Sequence, residues 1–197
     1  MKNFSRSFPN IKRLVIISLM SVSSFITAAP YEPSNLPLMD ISQLEYVGGF
    51  RLPGGNYGES SFGYSEGKIT LGAGGNSMFV VGHAHQQAIA EVSIPAIVNT
   101  TNVANMNYAT IMQDFSRVLN RTETGNSQQQ DRISGMEYYN GRLLVNTYEY
   151  YDGAGDAAHT TLVVNNAASL AGSSVAGFYG FDQEAVASGW ITPLTPS

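Results

Sequence analysis

The stretch ISGMEYYNGRLLVNTYE, residues 133–149, decides the fold class of this chain. It contains two segments rich in apolar and aromatic residues, separated by the dipeptide Asn140-Gly141. Asn-Gly is favoured in the two-residue turn that joins antiparallel strands, and aromatic and β-branched residues are typical of the strands themselves. The stretch therefore predicts a β-hairpin.

The same composition continues outward from this hairpin. The mature part of the chain is rich in Gly, Asn, Ser, Tyr and β-branched residues, which is typical of short strands joined by turns. Residues 108–119 leave a strand and a short helix open as alternatives. The predicted further strands are 44–52, 69–71, 78–83, 88–94, 160–164 and 175–181. The sequence therefore predicts an all-β fold.

One internal repeat refines that prediction. Residues 69–83 align without gaps on residues 133–147, an offset of 64, which places Asn76-Ser77 on Asn140-Gly141. Antiparallel units of roughly 40 to 50 residues, which loops can lengthen to an offset such as this one, are typical of β-propeller blades. The expected architecture is a partial β-propeller of antiparallel four-stranded blades. A β-sandwich, which has a similar spacing of turns, is the alternative.

Three segments carry a resemblance to known proteins: FRLP (50–53), NSMFVVGH with AEVSIP (76–95), and ISGMEYYNGRLLVNTYEYYD (133–152). They resemble blades of secreted bacterial β-propeller-like proteins of unassigned function. The resemblance implies a propeller-like domain over residues 44–197 and brings no catalytic residues with it. Because a ring needs at least four blades, we expect this domain to be incomplete at its C-terminus.

The N-terminus has the three parts of a secretory signal peptide, predicted over residues 1–28. Four basic residues precede a run of thirteen largely apolar residues, 14–26, and small residues follow at Thr27 and Ala28. As a helix the apolar run would be roughly 20 Å long, too short for a hydrocarbon core of about 30 Å. We expect cleavage near Ala28, export to the periplasm or medium, and no membrane insertion of the mature chain. Residues 29–43, with three prolines, are predicted as an extended lead-in.

Charge excludes two classes of partner. Without the signal peptide, six basic residues remain against fifteen acidic ones, a net charge of −9. Such a surface repels phosphate backbones and anionic lipids, so nucleic-acid and membrane-surface binding are not expected. The chain contains no cysteine, so the fold must be stabilised by its core without disulfides.

Tyrosines next to acidic residues are the candidate ligand site. Exposed Tyr rings stack on sugar rings, and neighbouring oxygens bind hydroxyl groups, although Tyr is also a common packing residue of sheets. Arg132 is a further candidate, with pairing to Asp131 as its alternative. The candidate ligand-binding residues are Tyr148, Glu149, Tyr150, Tyr151 and Arg132.

No cofactor is predicted outright, but two metals are considered. His83 and His85 lie two residues apart, on one side of an extended segment, and with His159 or Glu149 they would suit Zn²⁺. Glu149, Asp152 and Asp156, in the acidic Gly-rich loop EYYDGAGD, would suit Ca²⁺, although their spacing is not that of an EF-hand. For both sets the alternative is a solvated polar loop.

Three functions follow from these residues. The first is an exported propeller-like module that binds a carbohydrate or another extracellular ligand through Tyr-, His- and acid-rich loops on one rim. The second is a partial ring that another chain completes, by self-association through an exposed sheet edge. The third is a hydrolase or lyase that uses His83 and His85. The sequence does not decide whether the chain is an enzyme, and it favours binding because no catalytic set is evident.

Overall fold

The computed structural model describes residues 39–182 and 185–193. The predicted signal peptide, residues 29–38 of the lead-in, and the chain end from residue 194 lie outside the described residues. The chain divides into two compact units between Leu44 and Glu45. In the first unit, Ile41–Gln43 form a single 3-10 turn, so this end of the lead-in is not simply extended. Asp40 caps the turn by accepting a hydrogen bond from the Ser42 N–H at 2.8 Å.

The described part of the second unit contains ten strands, all paired antiparallel. They form one two-stranded ribbon and two four-stranded sheets in which consecutive strands are neighbours. The strands are β1 Asn56–Tyr57, β2 Ser60–Ser61, β3 Ile69–Leu71, β4 Ser77–Val81, β5 Ala88–Ser93, β6 Ile111–Arg117, β7 Arg132–Tyr139, β8 Arg142–Tyr148, β9 Thr161–Val164 and β10 Val175–Tyr179. The first sheet is β3 to β6 and the second is β7 to β10. The all-β prediction is confirmed, and the described residues form no closed ring.

The turns explain the alternating order of the strands. Asn140 and Gly141 both have positive φ, 48° and 80°, as the predicted two-residue turn requires. The β3–β4 turn differs from the prediction. Its centre falls at Gly74-Gly75, because Thr70 pairs with Phe79, and not at Asn76-Ser77. The two hairpins are therefore 66 residues apart, and the gap-free offset of 64 is wrong.

The two sheets share one apolar core. Phe79, Val81 and Ile89 of the first sheet face the second, where the Phe79 ring lies parallel to that of Tyr138, with 6.2 Å between ring centroids. Burial of such side chains contributes roughly 1.5–3 kcal/mol each. From β7 onward, the second sheet and its loops contribute Ile133, Met136, Leu143, Val145, Leu162, Val164, Ala167, Leu170 and Val175.

The opposite face of the first sheet is covered by the segment that precedes it. Phe50, Leu52 and Phe62 pack on Val80 and its neighbours. Residues 44–52 were predicted as a strand, but they form only isolated bridges, such as Gly49 with Val98. The prediction was wrong because this segment lies across the sheet as a cover and does not pair along a neighbouring strand.

A strap, defined here as residues 185–193, crosses the outer face of the second sheet. Its Gly189 N–H donates to Ser134 Oγ at 2.9 Å, and the Asn146 side-chain amide donates to Gly189 O at 3.3 Å. Farther back, the Thr160 hydroxyl donates to Ala187 O at 2.7 Å. Across the described ranges, none of the short helical turns has the length or apolar character to span a bilayer.

Candidate functional site

Four loops meet at one end of the two sheets, where β4 and β8 end. We call this end the rim and define it as residues 62–68, 82–87, 122–131 and 149–160. The His-containing loop is fixed to the second sheet where the Ile133 N–H of β7 donates to Gln87 Oε1 at 2.7 Å. The His-containing loop of the first sheet and the Tyr-rich loop of the second therefore lie at the same end of the two sheets.

Asp152 folds the acidic loop upon itself. Its carboxylate accepts backbone N–H groups from Gly155 (2.6 Å), Asp156 (3.2 Å) and Ala157 (3.2 Å). This is the local side-chain-to-backbone pattern that favours Asp in tight turns. The 149–160 loop therefore has a defined shape.

That shape gathers three carboxylates. Oxygen atoms of Glu149, Asp152 and Asp156 lie within 4.8 Å of one another. The pKa of Glu149 is raised above its ordinary value, first by loss of hydration and then by the negative charges of Asp152, Asp156 and Asp131. The cluster attracts positive charge and repels negative charge.

The four predicted aromatic and basic residues divide into two groups. Tyr150 and Tyr151 have side chains 69% and 84% exposed, respectively, whereas Tyr148 ends β8 half-buried, opposite Arg132. The Arg132 guanidinium pairs with Asp131 Oδ2 at 3.1 Å and lies 5.0 Å from the Tyr150 ring centroid. Asp131 also accepts the Tyr150 N–H at 2.8 Å. Arg132 is therefore placed to position Tyr150.

The histidines lie in two separate places. His83 and His85 are neighbours in the 82–87 loop, with ring centroids 5.4 Å apart. Beside them stands Tyr64, 87% exposed, whose ring meets His83 edge-on. His159 instead lies on the other side of the rim, in a pocket with Gln128 and Phe178.

The zinc prediction is opposed by one hydrogen bond. His83 Nδ1 accepts the His85 N–H at 3.1 Å, so a neutral His83 carries its proton on Nε2. A metal at either nitrogen would require that this bond or that proton be given up. Across residues 39–182 and 185–193, neither histidine belongs to a group of three potential ligands. Zinc binding by His83, His85 and His159 stays a prediction.

The calcium prediction fits the donor set better. Three carboxylates on one turn are the hard oxygen ligands that Ca²⁺ takes, although six to eight oxygens are needed. Asp152 already accepts three N–H groups, so fewer of its lone pairs remain for a cation. Calcium binding by Asp152 and Asp156 also stays a prediction.

Sequence reasoning missed Gln128 as a residue of the site. Its Nε2 donates to Asp156 O at 2.8 Å, and its Oε1 accepts the His159 N–H at 2.7 Å, so it joins the 122–131 loop to the 149–160 loop. Nothing in the polar segment TETGNSQQQ distinguishes this glutamine from Gln129. Its role depends on a contact with residues about thirty positions away.

Comparisons with known proteins add no homologue. No protein-family model matches the chain, and no curated protein or solved structure gives a significant match. The function must therefore be argued from the rim itself.

Proposed function

We propose that this chain is an exported β-propeller-like protein that binds a carbohydrate or another extracellular polymer on the rim. The observation that carries the proposal is the pair Tyr150 and Tyr151, strongly exposed beside the carboxylates of Glu149 and Asp156 on one shaped loop. An aromatic face stacks on a sugar ring, and carboxylate oxygens accept hydrogen bonds from its hydroxyl groups. Because the hydrogen bonds of Asp152 already give the 149–160 loop a defined shape, less conformational entropy is lost when a ligand binds to it.

Hydrogen-bond directions support the propeller part of the proposal. In β4, the residues whose side chains face the shared core form their backbone hydrogen bonds with the first-strand side of their sheet. An example is the Val81 N–H, which donates to Lys68 O at 3.0 Å. In β8, core-facing residues bond to the third strand, since the Thr147 N–H donates to Thr160 O at 2.7 Å. In a strand of L-residues, the face on which a side chain lies fixes the neighbouring strand to which that residue's backbone N–H and C=O point. The two sheets therefore present opposite faces to the shared core, so that the front of one sheet packs on the back of the other. Successive blades related by rotation stack in this way, whereas two equivalent sheets related by a two-fold axis meet front to front.

The spacing of the sheets also supports it. At their first strands the sheets nearly touch: the Tyr138 N–H donates to Thr70 Oγ1 at 3.4 Å. Toward the fourth strands, Gln113 of β6 instead reaches the loop after β9, where its Nε2 donates to Ala167 O at 2.8 Å. This wedge, closed at the first strands and filled by a loop farther out, is the arrangement expected of blades around an axis.

The binding proposal is tested with Tyr150→Ala and Tyr151→Ala in affinity electrophoresis and calorimetry against a panel of polysaccharides. An aromatic contact contributes about 0.5–1.5 kcal/mol, so each substitution is expected to weaken binding roughly two- to tenfold. Tyr139→Ala is the matched control, because Tyr139 is 55% exposed but lies at the opposite end of β7. A wild-type protein that is retarded by no polysaccharide, or equal losses in all three variants, would refute the proposal.

Export is tested independently of binding. Protein recovered from the periplasm or medium is expected to begin near Ala29, as measured by intact mass. A product that retains residues 1–28 and stays in the cytoplasm would rule out export while leaving the rim untouched.

A second candidate function is a partial ring completed by another chain. It is favoured by a groove of about 340 Å³ beside the strap, on the outer face of the second sheet, lined by Glu137, Tyr139, Leu144, Ile191, Thr192 and Pro193. Exposed apolar side chains of this kind are typical of association surfaces. Light scattering of the purified chain is expected to show self-association if this candidate is right. A stable monomer with a sharp thermal transition would argue against it.

A further inference from the structure

The rim contains a pocket that none of the exposed tyrosines occupies. It has a volume of about 220 Å³ and is lined by Thr124, Gly125, Ser127, Gln128, His159 and Phe178. This is below the roughly 300–1,000 Å³ of pockets that bury a drug-sized ligand, so the pocket suits a small group such as a single sugar ring.

The pocket walls are fixed before any ligand arrives. Gln128 uses both ends of its amide to hold Asp156 and His159, at 2.8 and 2.7 Å. The His159 ring lies against Gly180, where any Cβ would overlap with the ring. On the opposite wall, the Thr124 hydroxyl donates to Gly177 O. A pocket held in this way is preorganised for its ligand.

The lining has the chemistry that a sugar requires. Phe178 and His159 supply ring faces for the C–H side of a pyranose, and Ser127 supplies a hydroxyl group that can donate and accept. The pocket is therefore neither a purely apolar cleft nor a purely ionic site.

Charge defines the class of sugar. Among the residues that the structure describes, no Lys or Arg lines the pocket, and Gln128 donates to the backbone carbonyl of Asp156, whose side chain belongs to the three clustered carboxylates. Lys68 of the rim pairs with Glu66. The two arginines that flank the 122–131 loop are also engaged, Arg132 with Asp131 and Arg121 with the backbone carbonyls of Leu170 and Ala171. A carboxylated sugar would meet repulsion here without a basic partner, whereas a neutral or amino sugar would not.

We propose that this pocket is a subsite for one neutral or amino-sugar ring of the polymer that stacks on Tyr150 and Tyr151. The inference rests on the proposed carbohydrate binding and adds a second contact point and a charge preference to it. Because the pocket and the tyrosines share the 149–160 loop, one chain of sugar residues is expected to reach both.

The test uses calorimetry of the full mature chain with three pentasaccharides: cellopentaose, chitosan pentamer and pentagalacturonate. Wild-type protein is expected to bind a neutral or amino-sugar oligomer at least tenfold more tightly than pentagalacturonate. Ser127→Tyr, which fills the pocket, and His159→Ala, which removes one wall, are each expected to weaken that binding roughly fivefold. Thermal melts check that both variants fold.

The outcomes separate this inference from the broader proposal. If Tyr151→Ala weakens binding but both pocket variants bind like wild type, the subsite is refuted and rim binding stands. If pentagalacturonate binds as tightly as the other two, the charge preference is refuted. If wild type binds none of the three pentamers, the subsite is refuted, and the polysaccharide panel with the tyrosine variants then decides the broader proposal.

Discussion

At the scale of single residues, the rim is organised by side chains that bond to backbone. Gln130, almost fully buried, accepts a hydrogen bond from the Thr147 hydroxyl at 3.1 Å, and its backbone is held by both ends of the Asn126 amide. This fixes the 122–131 loop to β8. Gln128 and Asp131, on either side of this anchor, then reach the 149–160 loop.

Glu149 gives a prediction about pH. Its pKa is raised above the ordinary value of 4.5, so ionising it disfavours the folded loop. That cost is absent below the ordinary pKa, grows as the pH rises through the folded-state pKa, and is complete at neutral pH. Glu149→Gln is therefore expected to raise Tm by roughly one to two degrees at pH 7 and to leave it unchanged near pH 3.

The measurement is thermal unfolding in EDTA, so that a bound cation does not mask the repulsion. Glu123→Gln, an exposed glutamate in the neighbouring loop, serves as the control and is expected to change little. A lower Tm for Glu149→Gln at pH 7 would mean that Glu149 has a favourable partner in the folded state.

At the scale of elements, the sequence predicted what depends on local pattern. Apolar runs such as Phe79–Val81 and the Asn140-Gly141 turn identify β4, β7 and β8, because strand burial and turn chemistry are encoded within a few residues. The segment LEYVGGFRL before β1 was misassigned as a strand. Its apolar residues pack on the face of the first sheet as a cover and do not pair along a neighbouring strand. The loops of the rim were predicted to meet. Their connections were not, because Gln128 and His159 are neighbours only in the folded chain.

The strap gives the prediction at this scale. Gly135 lies directly beneath Gly189, and any Cβ there would overlap with the Gly189 carbonyl. Gly135→Ala is therefore expected to lift the strap and to cost about 1–3 kcal/mol, the usual range for overpacking. Hydrogen exchange should show lost protection at the Gly189 N–H, which donates to Ser134, while amides of β4 stay protected.

Gly54→Ala is the matched control, since its Cβ would meet open space. It is expected to leave both Tm and exchange unchanged. Full protection of the strap in Gly135→Ala would indicate that the second sheet can shift to accept the extra methyl group.

At the scale of the whole molecule, the question is whether the two sheets diverge like blades or lie parallel like the layers of a sandwich. Apolar runs in β4 predict burial on both faces, which is observed because the leading segment covers one face and the second sheet covers the other. Such patterns do not encode the angle between sheets, since the same residues can be buried in either arrangement. The angle depends instead on the Thr70 contact at the first strands and the loop inserted near the fourth.

Cysteine pairs can measure this divergence, because the chain contains no native cysteine. Thr70→Cys with Tyr138→Cys joins the first strands of the two sheets, where the Tyr138 N–H lies within hydrogen-bond distance of Thr70 Oγ1. Gln113→Cys with Val175→Cys places thiols in the fourth strands at the matching level, because the registers align Gln113 with Thr70 across the first sheet and Val175 with Tyr138 across the second. A disulfide requires Cα atoms within about 7 Å, so the first pair is expected to oxidise to nearly full yield and the second is not. Non-reducing electrophoresis and the loss of two mass units measure the yield, with each single-cysteine variant as its control. Equal yields for the two pairs would mean that the sheets run parallel at constant spacing, and the sandwich would then replace the blades.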